Sequence, residues 1–263
     1  PEQLRSMLST IESLGLGYTM NEELASVVHS LLGIDIEEEK IFHHLPHFTG
    51  DDVVVTYGGD GTLLEAVGML GGRPTPVVGI NCGRLGYLTA DDGDGIELLF
   101  ERIADRELSF EHRSMLRIEG DFVGDDNCLA LNEVAIHRHG ATMVSVETLI
   151  NGNTVATYHG DGLVVSPPTG STADSLSAGG PVVDPACRCF VLSPLAPHNL
   201  TMRPVVIPDS SHITLRLNSR GGEAFLSADN RTFTLHDGAN ITLKHAAEEQ
   251  IHPTPHNTTP YQA

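Results

Sequence analysis

The chain has 263 residues, room for two ordinary domains or one large one, and its 40% apolar content with 27 glycines describes a turn-rich globular protein, not a fibrous or disordered one. Asp and Glu number 35 against 15 Lys and Arg, and the formal charge of −20 argues against nonspecific binding to DNA or RNA, which would be repelled. No apolar run approaches the roughly 18–20 residues of a membrane span, so no membrane partner is expected.

The first residues, PEQLRSMLSTIESLG, carry the spacing of an amphipathic helix and lack the basic-then-apolar order of a signal peptide. NEELASVVHSLLG reads as a second helix, and each of the two ends in glycine, a common helix stop. FHHLPHF places His43, His44 and His47 in a surface loop, where the proline interrupts any regular ligand spacing. GDDVVVTYGG reads as a buried parallel strand opening into a glycine turn; TLLEAVGMLGG is a short helix, TPVVGIN a second buried strand and GDGIELLFERIADRE another helix. That alternation predicts an α/β layer with a parallel sheet.

From about Glu111 the texture changes to short runs of β-favouring residues separated by Gly, Asn, Asp and Pro, the punctuation of a mostly β domain of sandwich type. One helix is predicted within it, STADSLSAGG, with Ser171 or Thr172 as its cap. The predicted organisation is an α/β domain over 1–110, a β-rich domain over 111–245, and a loosely ordered polar tail over 246–263. Cys82, Cys128, Cys187 and Cys189 include no C-x-x-C pair and are expected to pack as small apolar residues in a reduced, cytoplasmic compartment, the last two alternating in one strand. The excess of acid reads as a surface adapted to high salt, where the Debye length falls to about 3 Å at 1 M.

Four segments carry chemistry. In GGDGTLL, Gly58, Gly59 and Gly61 stand between strand and helix, where backbone N–H groups approach a phosphate and the helix start favours an anion. Asp60 within that cradle is costly beside an anion unless it accepts the proton of an attacking hydroxyl or holds a nucleotide-bound metal. GINCGRLGYLT, Gly79 to Thr89, leaves a second buried strand, and in an open α/β sheet both strand ends face the crevice where ligands bind. LNEVAIHR sets Asn132 beside Glu133 in an apolar strand. Neighbours in a strand face opposite sides, so the two share a ligand only where the strand ends or bulges. DGLVVSPPTGSTADSLSAGGPVVDP, Asp161 to Pro185, runs from a strand through a proline turn to a hydroxyl-rich helix start, with Thr169, Ser171 and Thr172 offering donors suited to a ribose or base.

These segments in this order resemble the NAD kinase family, through GGDGTLL, N-x-G-x-L-G-Y-L, the Asn-Glu pair, D-G-L-V-V-x-x-P-T-G-S-T-A with S-A-G-G-P behind it, and PHNLTMRPVV; the likeness covers roughly residues 50–245. The resemblance implies an α/β domain followed by a β-sandwich domain, and transfer of a phosphoryl group from ATP or polyphosphate to the adenosine-ribose 2′-hydroxyl of NAD. It implies that Asp60 is the catalytic base, that Asn132 and Glu133 hold NAD, that Asp161 lies near its nicotinamide end, and that Thr172, Ala173 and Ser177 grip its adenine end. With them go Thr169, Asp174, Ser175 and Leu176 of the same turn, and, on a weaker local match, His159 and Arg231. It further implies a divalent cofactor, Mg²⁺ held mainly by ATP and not by a protein cage, and assembly as a homodimer or homotetramer.

Three features depart from the family pattern: Asp174 stands at a usual tyrosine, Pro167 at a usual threonine, and the sequence opens in a helix where the family begins with a strand. Two other readings compete. A lipid or diacylglycerol kinase shares the glycine-aspartate turn but fits the Gly79 and Asp161 segments less well, and a non-catalytic NAD or NADP sensor would have no use for an intact Asp60 turn.

Overall fold

The computed structural model describes residues 1–82, 88, 95–122, 128–220 and 222–253. The chain divides into two compact units, one built from Pro1–Leu63 with Thr75–Glu111, the other from Leu64–Pro74 with His112–His252.

In the first unit, α1 (Glu2–Ser13) turns Leu4, Met7, Leu8 and Ile11 inward at the i, i+3, i+4, i+7 spacing of one helical face. After β1 (Met20–Asn21), the Asn21 side chain accepts from the Leu24 N–H and caps α2 (Glu22–Leu32), which stops at Gly33 in the left-handed conformation, φ 66°. The short strand β2 (Ile41–Phe42) pairs in parallel with β1, so the histidine loop begins beside sheet, and His43 Nδ1 lies 3.2 Å from a Glu22 carboxylate oxygen. Next come β3 (Val54–Gly58), α3 (Asp60–Leu70), of which only Asp60–Leu63 belong to this unit, β4 (Val77–Asn81) and α4 (Ile96–Asp105). β3 and β4 are parallel, with Val54 opposite Val77 and Gly58 opposite Asn81, the arrangement predicted from their continuous apolar runs. Ile96 and Phe100 of α4 share the buried cluster of α1.

The second unit is a mostly antiparallel β structure. Its strands are β5 (Phe110–Gly120), β6 (Cys128–Ala130), β7 (Val134–Arg138), β8 (Val144–Ile150), β9 (Asn153–Gly160) and β10 (Gly162–Ser166). After the short helix α5 (Asp174–Ser177) follow β11 (Cys189–Leu195), β12 (Val205–Pro208), β13 (Ile213–Asn218), β14 (Glu223–Ala228), β15 (Arg231–His236) and β16 (Asn240–Pro253). One six-stranded sheet has the order β12-β11-β10-β7-β14-β15, the other β6-β5-β16-β13-β8-β9. Alternate residues of both fill one core: Val134, Ile136, Leu163, Val165, Phe190, Leu192 and Leu226 from the first sheet meet Leu116, Val146, Ile213, Leu215, Ile241 and Leu243 from the second. The residues between them in the first sheet, among them Ala135, His137, Val164, Ser193 and Ser227, therefore point to its other face.

Four expectations are corrected. Residues 246–253 continue β16, with Ala246, Gln250 and His252 buried, so strand pairing extends where a loose tail was expected. The cysteines do not share one environment: Cys128 is buried, but Cys82 and Cys187 are exposed, because each sits in a turn at a strand end, and Cys187 precedes β11 instead of alternating within it. The helix predicted over STADSLSAGG is a 3₁₀ turn, Pro168–Thr172, followed by four helical residues. Neither Ser171 nor Thr172 caps α5; Ala173, at φ −95° and ψ −130°, breaks the chain between turn and helix.

Candidate active site

The glycine turn follows β3 directly. Asp60 is the first residue of α3 and is partly exposed, and its Oδ1 accepts from the Leu88 N–H at 3.1 Å. The remainder of the second glycine segment, 83–87 and 89, lies outside the described residues. The Cys82 N–H donates to the Gly58 carbonyl, joining the carboxyl ends of the two parallel strands beneath the turn. The three glycines are not equivalent. A Cβ on Gly58 would fall 2.3 Å from Thr62 Oγ1, whereas Gly59 and Gly61 have nothing within 4 Å of theirs among the described residues. Packing therefore explains the glycine at 58, and no described residue explains those at 59 and 61.

In the second unit, Asn132 and Glu133 fall in the break between β6 and β7, not within a strand. The carboxylate of Asp229 accepts three successive N–H groups there: Leu131 on Oδ2 at 2.9 Å, Asn132 on Oδ1 at 2.8 Å and Glu133 on Oδ1 at 3.1 Å. In an extended strand successive N–H groups point to opposite sides, so this segment is curled. The condition under which the two side chains can serve one ligand is met. Both are buried, each 8% exposed, and Asn132 Oδ1 and Glu133 Oε2 have no hydrogen-bond partner among the described residues. Buried oxygens of that kind are costly unless something else supplies a donor.

The 3₁₀ turn lies on this segment. A Cβ on Gly170 would stand 1.6 Å from the Asn132 carbonyl oxygen, so only glycine allows the approach. Thr169 is buried, and the backbone N–H of Asp174 favours the charged form of the Glu133 carboxyl without outweighing the effects that oppose it. Burial, then the Asp229 charge, then that of Asp174, push Glu133 up to about 8, which leaves it a neutral acid at pH 7. Burial also raises Asp229, opposed by its three N–H donors and by Arg231. His137, on the same face, is held below its usual value by burial, with Asp174 opposing, and its Nε2 lies 3.1 Å from Ser227 Oγ.

The other candidates divide into those that face outward and those that hold the turn. Asp174, Leu176 and Ser177 are exposed, and Thr172 and Ala173 are half-buried. Ser175 is fully buried, its Oγ 2.9 Å from Ser193 Oγ, so its hydroxyl secures α5 to the sheet instead of facing a ligand. Ser171 likewise turns inward, accepting from the Val183 N–H at 3.0 Å. Asp161 pairs with Arg138, Oδ1 to Nε at 2.6 Å. His159 is exposed, with Nδ1 2.6 Å from Ser145 Oγ. Arg231 donates to the Leu129 carbonyl, a buttress of the same segment.

The ATP-NAD kinase N-terminal domain family matches residues 18–108, and the ATP-NAD kinase C-terminal domain family matches residues 131–249. The chain belongs to the NAD kinase family. The NAD kinase of Porphyromonas gingivalis is 45% identical over 196 residues, which cover 74% of this chain and 68% of that one. The NAD kinase of Gemmatimonas aurantiaca is 36% identical over 256 residues, 96% of this chain and 85% of that one. Among solved structures, yeast NADH kinase complexed with NADH superposes with a TM-score of 0.80 at 25% identity, over 98% of this chain and 80% of that one. An NAD kinase from Archaeoglobus fulgidus in complex with ATP gives 0.71 at 28%, over 90% and 91%.

For a member of the NAD kinase family, the residues that sequence reasoning missed are Asp229 and His137. Asp229 stands in SADN, which reads as an ordinary hairpin turn; its partners lie 96–98 positions away, and no local pattern announces them. His137 carried one signal, a polar residue at alternate spacing from Glu133 in an otherwise apolar strand.

Proposed function

We propose that this chain phosphorylates the 2′-hydroxyl of the adenosine ribose of NAD at the expense of ATP, yielding NADP and ADP. The observation that carries the reading is the placement of Asp60: a carboxylate at the first position of a helix, directly after two glycines at the carboxyl end of a parallel strand. A helix start flanked by open glycines favours the phosphates, and the one acidic group set into it would be a liability unless it took a proton. The ribose oxygen attacks the terminal phosphorus, its proton passes to the Asp60 carboxylate, the bond from that phosphorus to the bridging oxygen breaks, and ADP leaves. The Leu88 N–H fixes one carboxylate oxygen and so orients the base.

Asn132 Oδ1 and the neutral Glu133 carboxyl are suited to sugar hydroxyls, the first as acceptor and the second as a donor as well. Thr172, Ala173, Asp174, Leu176 and Ser177 supply the accessible rim, with Thr169 beneath them, and Asp161, His159 and Arg231 complete the set assigned to the dinucleotide. Among the described residues no cluster of three or more His, Cys, Asp or Glu is arranged to hold a metal. A magnesium ion carried on ATP oxygens and water would neutralise phosphate charge, with Asp60 the carboxylate that the glycine turn offers it. No described helix is long and apolar enough to cross a membrane, and the reading goes with a cytoplasmic homodimer or homotetramer acting on small nucleotides.

The test is a donor and acceptor screen at low and multimolar salt. ATP and polyphosphate are each offered with NAD, NADH or a diacylglycerol dispersion, and with ATP and NAD the product should be NADP. Phosphorylation of the lipid alone, or NADP binding without any turnover, overturns the reading.

A further inference from the structure

Asp229 occupies a position that chain geometry alone does not favour. It is the first of two residues joining β14 to β15, between the paired Ala228 and Arg231, and its φ of 51° lies in the left-handed region. From there its carboxylate reaches the three N–H groups of 131–133, while its own N–H donates to the Glu133 carbonyl at 3.0 Å. Two oxygens thus receive three charge-assisted bonds in a buried place, a stronger tether than the same number of neutral ones. The register continues the β7–β14 ladder, which ends at Val134 opposite Ala228, so the tether takes over where regular pairing stops.

Resting on the functional reading above, we propose that Asp229 is a positioning residue for the dinucleotide: it curls Leu131–Glu133 so that Asn132 and Glu133 present their unpartnered oxygens together to one ligand. Without it the segment would relax toward an extended strand, and the two side chains would part to opposite faces. The same carboxylate sets the chemistry of Glu133. The groups facing Glu133 are Asp229 from the hairpin turn and Asp174 from α5, with His137 of β7 near Asp174 and Arg231 of β15 near Asp229. The N–H donors on both Asp229 oxygens favour the carboxylate form of Asp229 against its burial, and its charge in turn raises Glu133.

Asp229→Asn keeps the size but sets an NH₂ against an N–H and removes the charge. The expected result is a KM for NAD raised about 10- to 100-fold, with kcat and the KM for ATP within about twofold of the parent. The break in the pH profile of the NAD KM should also move below that of the parent, because Glu133 then ionises more readily. Equal losses for both substrates together with an unmoved pH profile would overturn the proposal. In the unaltered chain the amides of Leu131, Asn132 and Glu133 should exchange with solvent as slowly as those of Val134 and Ile136, and fast exchange there overturns the proposal even if the variant does not fold. If the unaltered chain fails to phosphorylate NAD, the functional reading falls by itself, and the exchange of these amides still decides the clamp.

Discussion

Gly170 sits so close to Asn132 that a single added carbon at 170 would lie 1.6 Å from the Asn132 carbonyl oxygen. The contact locks the 3₁₀ turn to the curled segment, so the turn and the Asn-Glu pair move as one piece. Gly170→Ala must push them apart. Stability should fall by about 1–3 kcal/mol, the usual cost of overpacking, and the KM for NAD should rise on the order of 10-fold or more through misplacement. Denaturant melts and initial-rate kinetics check both, and a variant as stable and as tight as the parent would refute the contact.

Gly61 offers the opposite case. Among the described residues nothing lies within 4 Å of a Cβ there, and the position is in the first turn of α3. Alanine is a better helix former than glycine by roughly 1 kcal/mol in a helix interior, so Gly61→Ala should leave the fold as stable or more so. If the glycine serves close approach of a phosphate, activity should nevertheless drop and the KM for ATP rise. Parent-like kinetics in a stabilised variant would mean that the glycine has no such role.

Glu133 gives the fold a pH dependence whose sign follows from its environment. Its carboxyl titrates near 4.5 in an unfolded chain and about 8 in the folded one. Between those values the folded state holds a proton that the unfolded state has lost, so this group's stabilisation is complete below about 4.5 and is lost as the pH rises through 8. Glu133→Gln keeps a neutral side chain at every pH. The difference in melting temperature between variant and parent should therefore widen in the variant's favour from pH 5 to pH 8, and a constant difference across that range would show that Glu133 is ionised throughout.

Ser175 and Ser193 form a buried hydroxyl pair at 2.9 Å. Removing either hydroxyl leaves the other without its partner and should cost about 1–3 kcal/mol, whereas removing both should cost less than the sum. Ser175→Ala should leave the KM for NAD within about twofold of the parent, since the hydroxyl faces the sheet. A selective rise in that KM would restore Ser175 to the ligand surface.

The parts of this architecture legible in the sequence are those whose signal is local. VVVTY and VVGI read as buried parallel strands because apolar side chains are needed on both faces, and the glycines at 58–61 mark the turn that follows. The β-rich half was legible from its punctuation. What escaped depends on distant pairing. Residues 246–253 are stabilised as the end of β16 by neighbouring strands, although their glutamates resemble a polar tail. Met20–Asn21 and Ile41–Phe42 are each too short to announce a strand. In the candidate site, the identities of Asn132 and Glu133 were readable but their joint orientation was not, because it is set by a carboxylate in a hairpin far along the chain. Ser171 and Ser175 resembled ligand donors for the same reason: a hydroxyl near a helix start looks alike whether it faces solvent or a buried partner.

The central claim is proton acceptance by Asp60, and the most direct measurement is NADP formation from saturating ATP and NAD by Asp60→Asn beside the unaltered chain. Loss of a general base should lower kcat by on the order of 10²–10⁴-fold, with NAD binding by calorimetry preserved. NADP production at the parent rate by a folded Asp60→Asn variant would contradict the account.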